Sequence, residues 1–405
     1  MPSNISINNH GTGPQSVAAG DGPQSNMNGA GAQNNYYGCP VHPIPQGRET
    51  ESLVSNSSRP SSRQDFQIAL ICALPLEYDA VTLQFDEFWD EDGEQYGRAP
   101  GDTNTYTTGR IGNYNIVLAL LPNMGKAAAA GSAASFRSSY SRLQLAFLVG
   151  ICGGVPGTGA NEALLGDVVI SKTVLQLGFG RQFPNGFVTK DTIDDNLGRS
   201  NKDIRGLIAS FETHFGRRRL KKKAGEYLKE LQNAAARERY QYSYQYLGVT
   251  EDKLFVATYQ HKHRAPQSCA TCEGEGNRYC EEAAQASCVE LNCGEGQIVY
   301  RDRLEVKRSL SPDEMQCPDI FIGRMASGDT VMKSGEHRDQ LAKQHNVIAF
   351  EMEGAGAWDE VPCIIIKGIC DYADSHKNKK WQPFAAATAA SVMKAVLGRY
   401  APTDR

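Results

Sequence analysis

The sequence predicts an α/β fold, in which a sheet of buried strands is covered by helices. Seven short apolar runs, rich in branched side chains, are typical of strands that are buried on both faces. Helical segments lie between several of these runs, and alternation of buried strands with helices is the pattern of α/β layer architectures.

Each predicted strand is a run of valine, isoleucine, leucine, alanine or phenylalanine. In chain order the runs are QIALIC from Gln67, NIVLALL from Asn115, LAFLVGI from Leu145, DVVIS from Asp167, DIFIGRM from Asp319, NVIAFEM from Asn346 and CIIIKGI from Cys363. Helices are predicted for GKAAAAGSAASFRSSY from Gly125, for about 203–239 and for FAAATAASVMKAVLGRY from Phe384.

Two segments interrupt this alternation. Residues 1–65 are mostly Asn, Gly, Ser, Gln and Pro, and cannot bury enough apolar surface to offset the entropy lost on ordering. Residues from about 241 to 317 are polar and contain five cysteines, Cys269, Cys272, Cys280, Cys288 and Cys293. We therefore expect a disordered polar tail at 1–65 and a folded domain at 66–400, with a polar Cys-rich insertion at about 241–317.

Composition limits the partners of the chain and its location. The formal net charge of -4 gives no field that would recruit nucleic acid. No run reaches the roughly 18 apolar residues of a spanning helix, and the first residues lack the basic start and apolar stretch of a signal peptide. We expect a cytoplasmic protein, with the nucleus as an open second location, that binds neither nucleic acid nor a membrane.

Acidic side chains follow three predicted strands, at the edge of the sheet where ligands bind in α/β folds. Glu77 follows the first strand in ALPLE, Glu353 lies in AFEMEGAGA, and Asp371 ends CIIIKGICD. Carboxylates in such places are either structural caps or catalytic groups. For Glu77 the alternative is a surface acid at a helix start, but three acids at neighbouring strand ends favour catalysis.

The stretch VGICGGVPGTG places glycines after a predicted strand. Gly153 and Gly154 would permit close approach of the backbone to a ligand. The stretch fits neither a dinucleotide-binding nor a P-loop fingerprint, since no Gly-Lys-Ser/Thr is present to hold a nucleotide phosphate with magnesium.

Six motifs together resemble the nucleoside phosphorylase and nucleosidase superfamily, and in particular its fungal purine nucleoside phosphorylase and methylthioadenosine nucleosidase-like domains. The motifs are ALPLE, PNMGKAAAA, VGICGG, ASGD at 326–329, FEMEGAGA and GICDYADSHKNKKWQPFAAATAA. The resemblance covers about residues 66–400. It implies a three-layer α/β/α fold around a mixed central sheet, catalysis that requires no cofactor, and assembly into a homo-oligomer.

The resemblance also implies roles for single residues. Met352 and Glu353 would line the ribose, with Glu353 bridging its 2′ and 3′ hydroxyls, and Asp371 would protonate, or share a proton with, N7 of the leaving purine. Glu77 stands where related nucleosidases carry a water-activating glutamate and related phosphorylases a glycine. Ile151 replaces a serine that contacts phosphate in the phosphorylases. Both positions favour hydrolysis over phosphorolysis.

Further substrate contacts are expected from aromatic, acidic and basic side chains near these motifs. Trp381 and Phe384 would stack on the base, with core packing as the alternative for Phe384, and Asp329 would support the base-binding loop, with loop capping as its alternative. Basic groups that could pair with nucleotide phosphates are Lys126, Arg181, the run 217–223, Lys377, Lys379 and Lys380.

The insertion contains one pair of cysteines with the spacing of a zinc site. Cys269 and Cys272 form a CxxC, and His261, His263, Cys280, Cys288 or Cys293 could complete a tetrahedral set. The second half of the insertion does not repeat CxxC. A structural zinc ion and free thiols on a loop therefore both remain open.

We therefore predict a purine N-ribosidase that hydrolyses the N-glycosidic bond of an adenine nucleoside or nucleotide, adenosine or ATP, to free adenine and the sugar. One alternative is a phosphate-dependent purine nucleoside phosphorylase, with Arg110, Arg137 or Lys126 as anion partners. The other is an inactive nucleotide-sensing module, against which the presence of Glu77, Glu353 and Asp371 together argues.

Overall fold

The computed structural model describes residues 59–402, except for 94, 158, 193, 196, 265–268 and 275–278. Its strands are β1 (Ile68–Cys72), β2 (Glu87–Phe88), β3 (Tyr106–Ile111), β4 (Tyr114–Leu120), β5 (Leu145–Gly154), β6 (Val168–Gln176), β7 (Gly180–Phe183), β8 (Gly186–Thr189), β9 (Ile320–Ser327), β10 (Val347–Glu351) and β11 (Cys363–Asp371). Its α-helices are α1 (Pro75–Thr82), α2 (Lys126–Ser139), α3 (Lys202–Glu212), α4 (His214–Arg237), α5 (Ala270–Glu273), α6 (Glu281–Gln285), α7 (Asp302–Arg308), α8 (Pro312–Met315), α9 (Gly335–His345), α10 (Gly354–Trp358) and α11 (Gln382–Leu397).

A mixed sheet forms the centre of the fold, in the order β10-β9-β6-β11-β5-β1-β4-β3-β2. Strands β1, β4, β5 and β11 run parallel, whereas β6 is antiparallel to β11. Strand β10 also pairs with β5, so that β5, β6, β9, β10 and β11 close into a ring. All seven predicted strands are present. Strand β3 was not predicted, because its sequence YTTGRI contains no apolar run.

Helices cover both faces of this sheet, which confirms the three-layer α/β/α architecture. On one face α11 packs on β5, β6 and β11 and contacts α1 and α4. On the other face α10 packs on α2 and against β6 and β11. Helix α11 is rich in alanine and buried along nearly its whole length, because small side chains let it lie close to the sheet.

The helical predictions are confirmed with one correction. The stretch predicted as one helix over 203–239 is two helices, α3 and α4, which meet at Thr213. The Thr213 hydroxyl accepts a hydrogen bond from the Gly216 backbone N–H at 3.0 Å and caps α4. Among the described helices, none has the length and apolar character needed to cross a membrane.

The predicted tail falls mostly outside the described residues. Residues 1–58 are not among them, so the expected disorder there stays a prediction. Residues 59–65 belong to the fold: a 3-10 helix spans Arg63–Asp65, and the Arg59 guanidinium donates a hydrogen bond to the Trp89 carbonyl.

The ends of the insertion at 241–317 pack into the core, which its polar composition did not suggest. The Tyr372 hydroxyl donates to Asp252 at 2.6 Å, and Leu254, Phe255 and Leu304 are buried. Arg303 is also buried, and its guanidinium donates to the fully buried Asp167 at 2.8 Å and pairs with Asp319. The insertion is therefore attached to the strand starts of β6 and β9 by the buried Arg303, which contacts the buried Asp167 and the partly exposed Asp319.

This charge network should contribute strongly to stability. We expect Arg303→Met to lower the free energy of unfolding by about 3–5 kcal/mol, because it leaves Asp167 buried without its cation. The control Lys172→Met removes an exposed ion pair with Glu212 and should change it by less than about 1 kcal/mol. Urea unfolding of both variants measures the difference, and equal effects would contradict the assignment.

Candidate functional site

Glu77 lies in the first turn of α1, directly after β1, and its side chain is 2% exposed. Three backbone N–H groups donate to its carboxylate: Ala73 and Leu74 to Oε2, each at 2.9 Å, and Ile151 to Oε1 at 2.8 Å. Burial raises the pKa of Glu77, while the nearby Lys367 opposes that shift. The carboxylate is therefore fixed in position, where it also caps the first turn of α1.

The close approach of Glu77 to β5 requires a glycine. A Cβ atom on Gly150 would lie 2.2 Å from Oε1 of Glu77, which is too close for any real contact. Gly150 is therefore needed so that the carboxylate can approach the strand and accept the hydrogen bond from the Ile151 N–H. Ile151, whose side chain was predicted to exclude a phosphate contact, thus donates its backbone N–H to Glu77.

The two glutamates of FEMEGAGA have different environments. Glu351 ends β10, and its carboxylate accepts the backbone N–H groups of Glu353 at 3.0 Å and of Gly354 at 2.8 Å, so it caps α10. Glu353 is 4% exposed and accepts the Gly125 N–H at 3.4 Å. Met352 lies half-buried between them. Glu351 is thus a structural cap, and Glu353 retains free lone pairs.

Lys367 is a site residue that the sequence analysis missed. It lies in the middle of β11 with no exposed surface, and its Nζ is 3.0 Å from Oε2 of Glu353. Burial alone would lower the pKa of Lys367, but the carboxylates of Glu353, Glu77 and Glu351 outweigh it and raise the pKa. One buried ammonium therefore neutralises part of a cluster of three acids, called here the acid–lysine cluster (Glu77, Glu351, Glu353, Lys367).

Asp371 ends β11 beside this cluster and is 4% exposed. Its Oδ2 is 2.7 Å from Nζ of Lys377, and its Oδ1 accepts the Ala373 N–H at 2.9 Å. Ala373 has a φ of 52°, in the left-handed region that side chains rarely adopt, so the segment after Asp371 holds a strained turn. The contact with Asp371 helps to hold that turn.

Gly153 and Gly154 lie within β5 rather than in a turn after it. A Cβ on Gly153 would be 3.0 Å from Oδ1 of Asp371, and one on Gly154 would be 2.7 Å from the Ile369 side chain. Their lack of side chains thus makes room for β11 and Asp371. The predicted contact of these glycines with substrate stays a prediction.

Asp329 and Lys126 are paired with each other at the start of α2. Nζ of Lys126 is 3.3 Å from Oδ2 of Asp329, and the Lys126 backbone N–H donates to Oδ1 at 3.1 Å. This arrangement corresponds to the capping alternative for Asp329. It lies next to Gly125, whose N–H faces Glu353.

The two aromatic residues expected to stack on the base are placed in the core. Trp381 and Phe384 are each 1% exposed, and both pack edge-to-face on Tyr246, at 5.5 and 5.3 Å between ring centroids. The Trp381 indole N–H donates to the Glu251 carbonyl at 3.2 Å. These contacts favour core packing over base stacking for both residues, because aromatic neighbours already cover the rings.

The remaining basic residues do not gather at the cluster. Arg181 is exposed on the β7–β8 hairpin. The run 217–223 lies on α4, where Lys221 pairs with Asp319 and Lys223 with Glu226. Lys380 is 3.5 Å from Glu251.

Cys269 and Cys272 come together with His263 and Cys280 in the insertion.

Fold and site together define an α/β protein with buried carboxylates, from three separate chain segments, at the ends of its central strands. Residues 67–399 match the family described as the Phosphorylase superfamily, and the chain belongs to this family. The family predicted from the six motifs is thereby confirmed.

The chain is also similar to part of a longer protein. It is 30% identical over 340 residues to a nucleotide-binding leucine-rich repeat (NLR)-like protein of Hyaloscypha variabilis, a match that covers 84% of this chain and 30% of that protein. This chain therefore spans less than a third of the relative's length.

Similar solved structures include two proteins of Helicobacter pylori. Futalosine hydrolase is 16% identical with a TM-score of 0.46, and the match covers 83% of this chain and 98% of that one. A 5′-methylthioadenosine/S-adenosyl homocysteine nucleosidase is 15% identical with a TM-score of 0.45, covering 83% and 99%.

The acid–lysine cluster should make stability depend on pH. The raised pKa of Glu77 and of Glu351 means that the folded state holds protons more tightly than the unfolded chain, so stability falls as pH rises above their ordinary value of 4.5. Lys367 limits this fall. We expect Lys367→Met to enlarge the fall in the free energy of unfolding, by about 1.4 kcal/mol for each unit by which the pKa of a glutamate rises further.

Urea unfolding near pH 5 and near pH 7 tests this expectation. The matched control is Lys229→Met, which removes an exposed pair with Asp313 and should leave the pH dependence unchanged. The assignment fails if the stability of Lys367→Met falls no more than that of the parent protein between the two pH values.

Proposed function

We propose that this chain is a purine N-ribosidase, which hydrolyses the N-glycosidic bond of adenine nucleosides to free adenine and the sugar. The observation that carries this proposal is the geometry of Glu77, a buried carboxylate held by three backbone N–H groups beside Lys367 and Glu353. A fixed carboxylate with a raised pKa is suited to take a proton from water.

In the proposed reaction, a water oxygen forms a bond to the anomeric carbon of the ribose while the bond from that carbon to the purine nitrogen breaks. Glu77 accepts a proton from the water. The electron pair of the broken bond passes to the purine, and N7 receives or shares a proton at Asp371. No redox partner or cofactor enters this balance.

Glu353 would orient the ribose during this step. Its two oxygens accept from Lys367 and Gly125, and the lone pairs that remain can accept hydrogen bonds from the 2′ and 3′ hydroxyls. A carboxylate next to the sugar also stabilises the positive charge that develops on the ring. The ammonium of Lys367 offsets the negative charge of that carboxylate in its buried position.

Asp371 would serve the leaving base together with Lys377. Burial lowers the pKa of Lys377, but the carboxylate of Asp371 outweighs this and raises it, so Lys377 is an ammonium when the reaction begins. Nζ of Lys377 lies 2.7 Å from Oδ2 of Asp371, so a proton can pass from the ammonium through the carboxylate to N7 as negative charge develops on the purine. That proton would neutralise the departing purine and lower the barrier for its departure.

The electrostatics of the cluster oppose the phosphorylase alternative. Phosphate is an anion, and next to Glu77, Glu351 and Glu353 it would be repelled, whereas the described part of the cluster holds one cation, Lys367, to offset that charge. The cations considered as phosphate partners are engaged in other ion pairs: Arg110 with Glu87, Arg137 with Glu360 and Lys126 with Asp329. Lys126 and Lys377 were also considered as partners for the phosphates of ATP, and both are paired with acids, Asp329 and Asp371. This favours adenosine over ATP as the substrate.

The products of adenosine cleavage should be adenine and free ribose, at a rate indifferent to added phosphate. Chromatography of reactions with adenosine, inosine and ATP, each with and without phosphate, measures this. Formation of ribose 1-phosphate that rises with phosphate would establish the phosphorylase instead. Tight nucleotide binding with no base released would establish the sensing module.

Asp371→Asn should bind adenosine but turn it over about 10²–10⁴ times more slowly, since the amide is not acidic enough to transfer a proton to N7. Asp359→Asn is the control, because Asp359 is an exposed acid at the end of α10. Initial rates of adenine release and the Kd for adenosine separate binding from chemistry. A folded Asp371→Asn variant with the parent rate would remove Asp371 from the reaction.

A further inference from the structure

Four donor groups of the insertion gather in a tetrahedral spacing. Nδ1 of His263 is 3.4 Å from Sγ of Cys272 and 3.8 Å from Sγ of Cys280, and Sγ of Cys269 is 3.9 Å from that of Cys280. Zinc–sulfur and zinc–nitrogen bonds of about 2.3 and 2.0–2.1 Å place tetrahedral ligands roughly 3.5–3.8 Å apart. The four groups thus have the separation of a Cys3His zinc site.

A second cluster lies close by in the sequence. Nδ1 of His261 is 3.5 Å from Sγ of Cys293 and 3.7 Å from Sγ of Cys288. Nε2 of His261 lies 2.9 Å from the Ala286 carbonyl, and donation there would fix the tautomer that directs the Nδ1 lone pair at the two sulfurs. A backbone carbonyl on the far nitrogen is the usual outer partner of a zinc-bound histidine.

This second cluster has three ligands from the insertion. A fourth would come from outside the insertion, from His376. His376 is 7% exposed, and neither of its ring nitrogens has a hydrogen-bond partner. Its ring is stacked on Phe255 at 4.0 Å and lies 5.2 Å from the ring of His261. A buried imidazole without a partner is costly, and a metal ion would satisfy it.

One acidic side chain lies near the ring of His376 without bonding to it. Asp374 is 3.9 Å from Nδ1 of His376, beyond a hydrogen bond.

We propose that the chain binds two structural zinc ions, the second of which joins the insertion to the segment that follows Asp371. The ligands of the first ion are His263, Cys269, Cys272 and Cys280, and those of the second are His261, Cys288, Cys293 and His376. Cys3His and Cys2His2 are the donor sets of structural zinc sites. In the sequence the first set is nested between His261 and Cys288.

The second ion has a structural consequence for the proposed active site. His376 lies on the same segment as Asp371, Ala373 and Lys377, which includes the strained turn. A bond from zinc to His376 would restrain this segment from the side of the insertion. The hydrogen bond from the His261 N–H to the Ser375 hydroxyl, at 3.0 Å, already joins the same two parts.

Metal analysis of the full chain, purified without chelators, tests the proposal directly. We expect two equivalents of zinc in the parent protein. The double variant Cys269→Ser, Cys272→Ser should lose one equivalent, and Cys288→Ser, Cys293→Ser the other. The control Cys363→Ala changes a buried cysteine of β11 and should keep both. One equivalent or less in the parent protein would overturn the two-ion proposal without recourse to any variant.

His376→Phe tests the fourth ligand of the second site. Phenylalanine can keep the stacking on Phe255 but offers no nitrogen to a metal. Since loss of even an outer partner of a zinc ligand typically costs about 10–100-fold in affinity, we expect one of the two ions to be bound at least about tenfold more weakly. Competition with a chromophoric chelator measures both affinities, and circular dichroism checks the fold. Two ions with unchanged affinities in folded His376→Phe would remove His376 from the site.

Discussion

The buried ammonium of Lys367 is the interaction on which the rest of the site depends. Three carboxylates from two segments of the chain surround it: Glu77 after β1, and Glu351 and Glu353 at the end of β10 and directly after it. Buried carboxylates without a cation would repel one another and take up protons. By lying in the middle of β11 with no exposed surface, Lys367 permits acids to gather where the strands meet. The chemistry proposed for Glu77 and Glu353 requires that gathering.

Backbone geometry provides the second condition for the site. Gly150 on β5 is the direct partner of Lys367 on β11. Because Gly150 has no Cβ, Glu77 can pack against β5 at the same position along the strands as the ammonium. Further along the same pair, Gly153 stands opposite Asp371. The glycines of VGICGG therefore bring both acids close to β5. Their presence is explained by packing against protein groups, before any ligand is considered.

The sequence was sufficient to predict the strands of the core, because each buried strand is a continuous apolar run that periodicity detects. Glu77, Glu353 and Asp371 could be proposed as site residues because each stands at the end of such a run. Lys367 was missed, since a single lysine inside IIIKGI gives no indication that its partners come from distant segments. Trp381 and Phe384 were expected at the base because aromatic type alone cannot distinguish a stacking face from a core contact. Polar composition likewise concealed the burial of Arg303 in the insertion.

The segment after Asp371 connects these observations. It begins with an acid paired to Lys377, continues through Ala373 in a strained conformation, and reaches His376, whose buried ring is stacked on Phe255 of the insertion. A strained turn persists only where surrounding contacts determine it, and here those contacts come from β5 on one side and from the insertion on the other. A polar segment of more than seventy residues, about 241–317, thus has a physical reason to be packed against the site, since it holds the segment that orients Asp371.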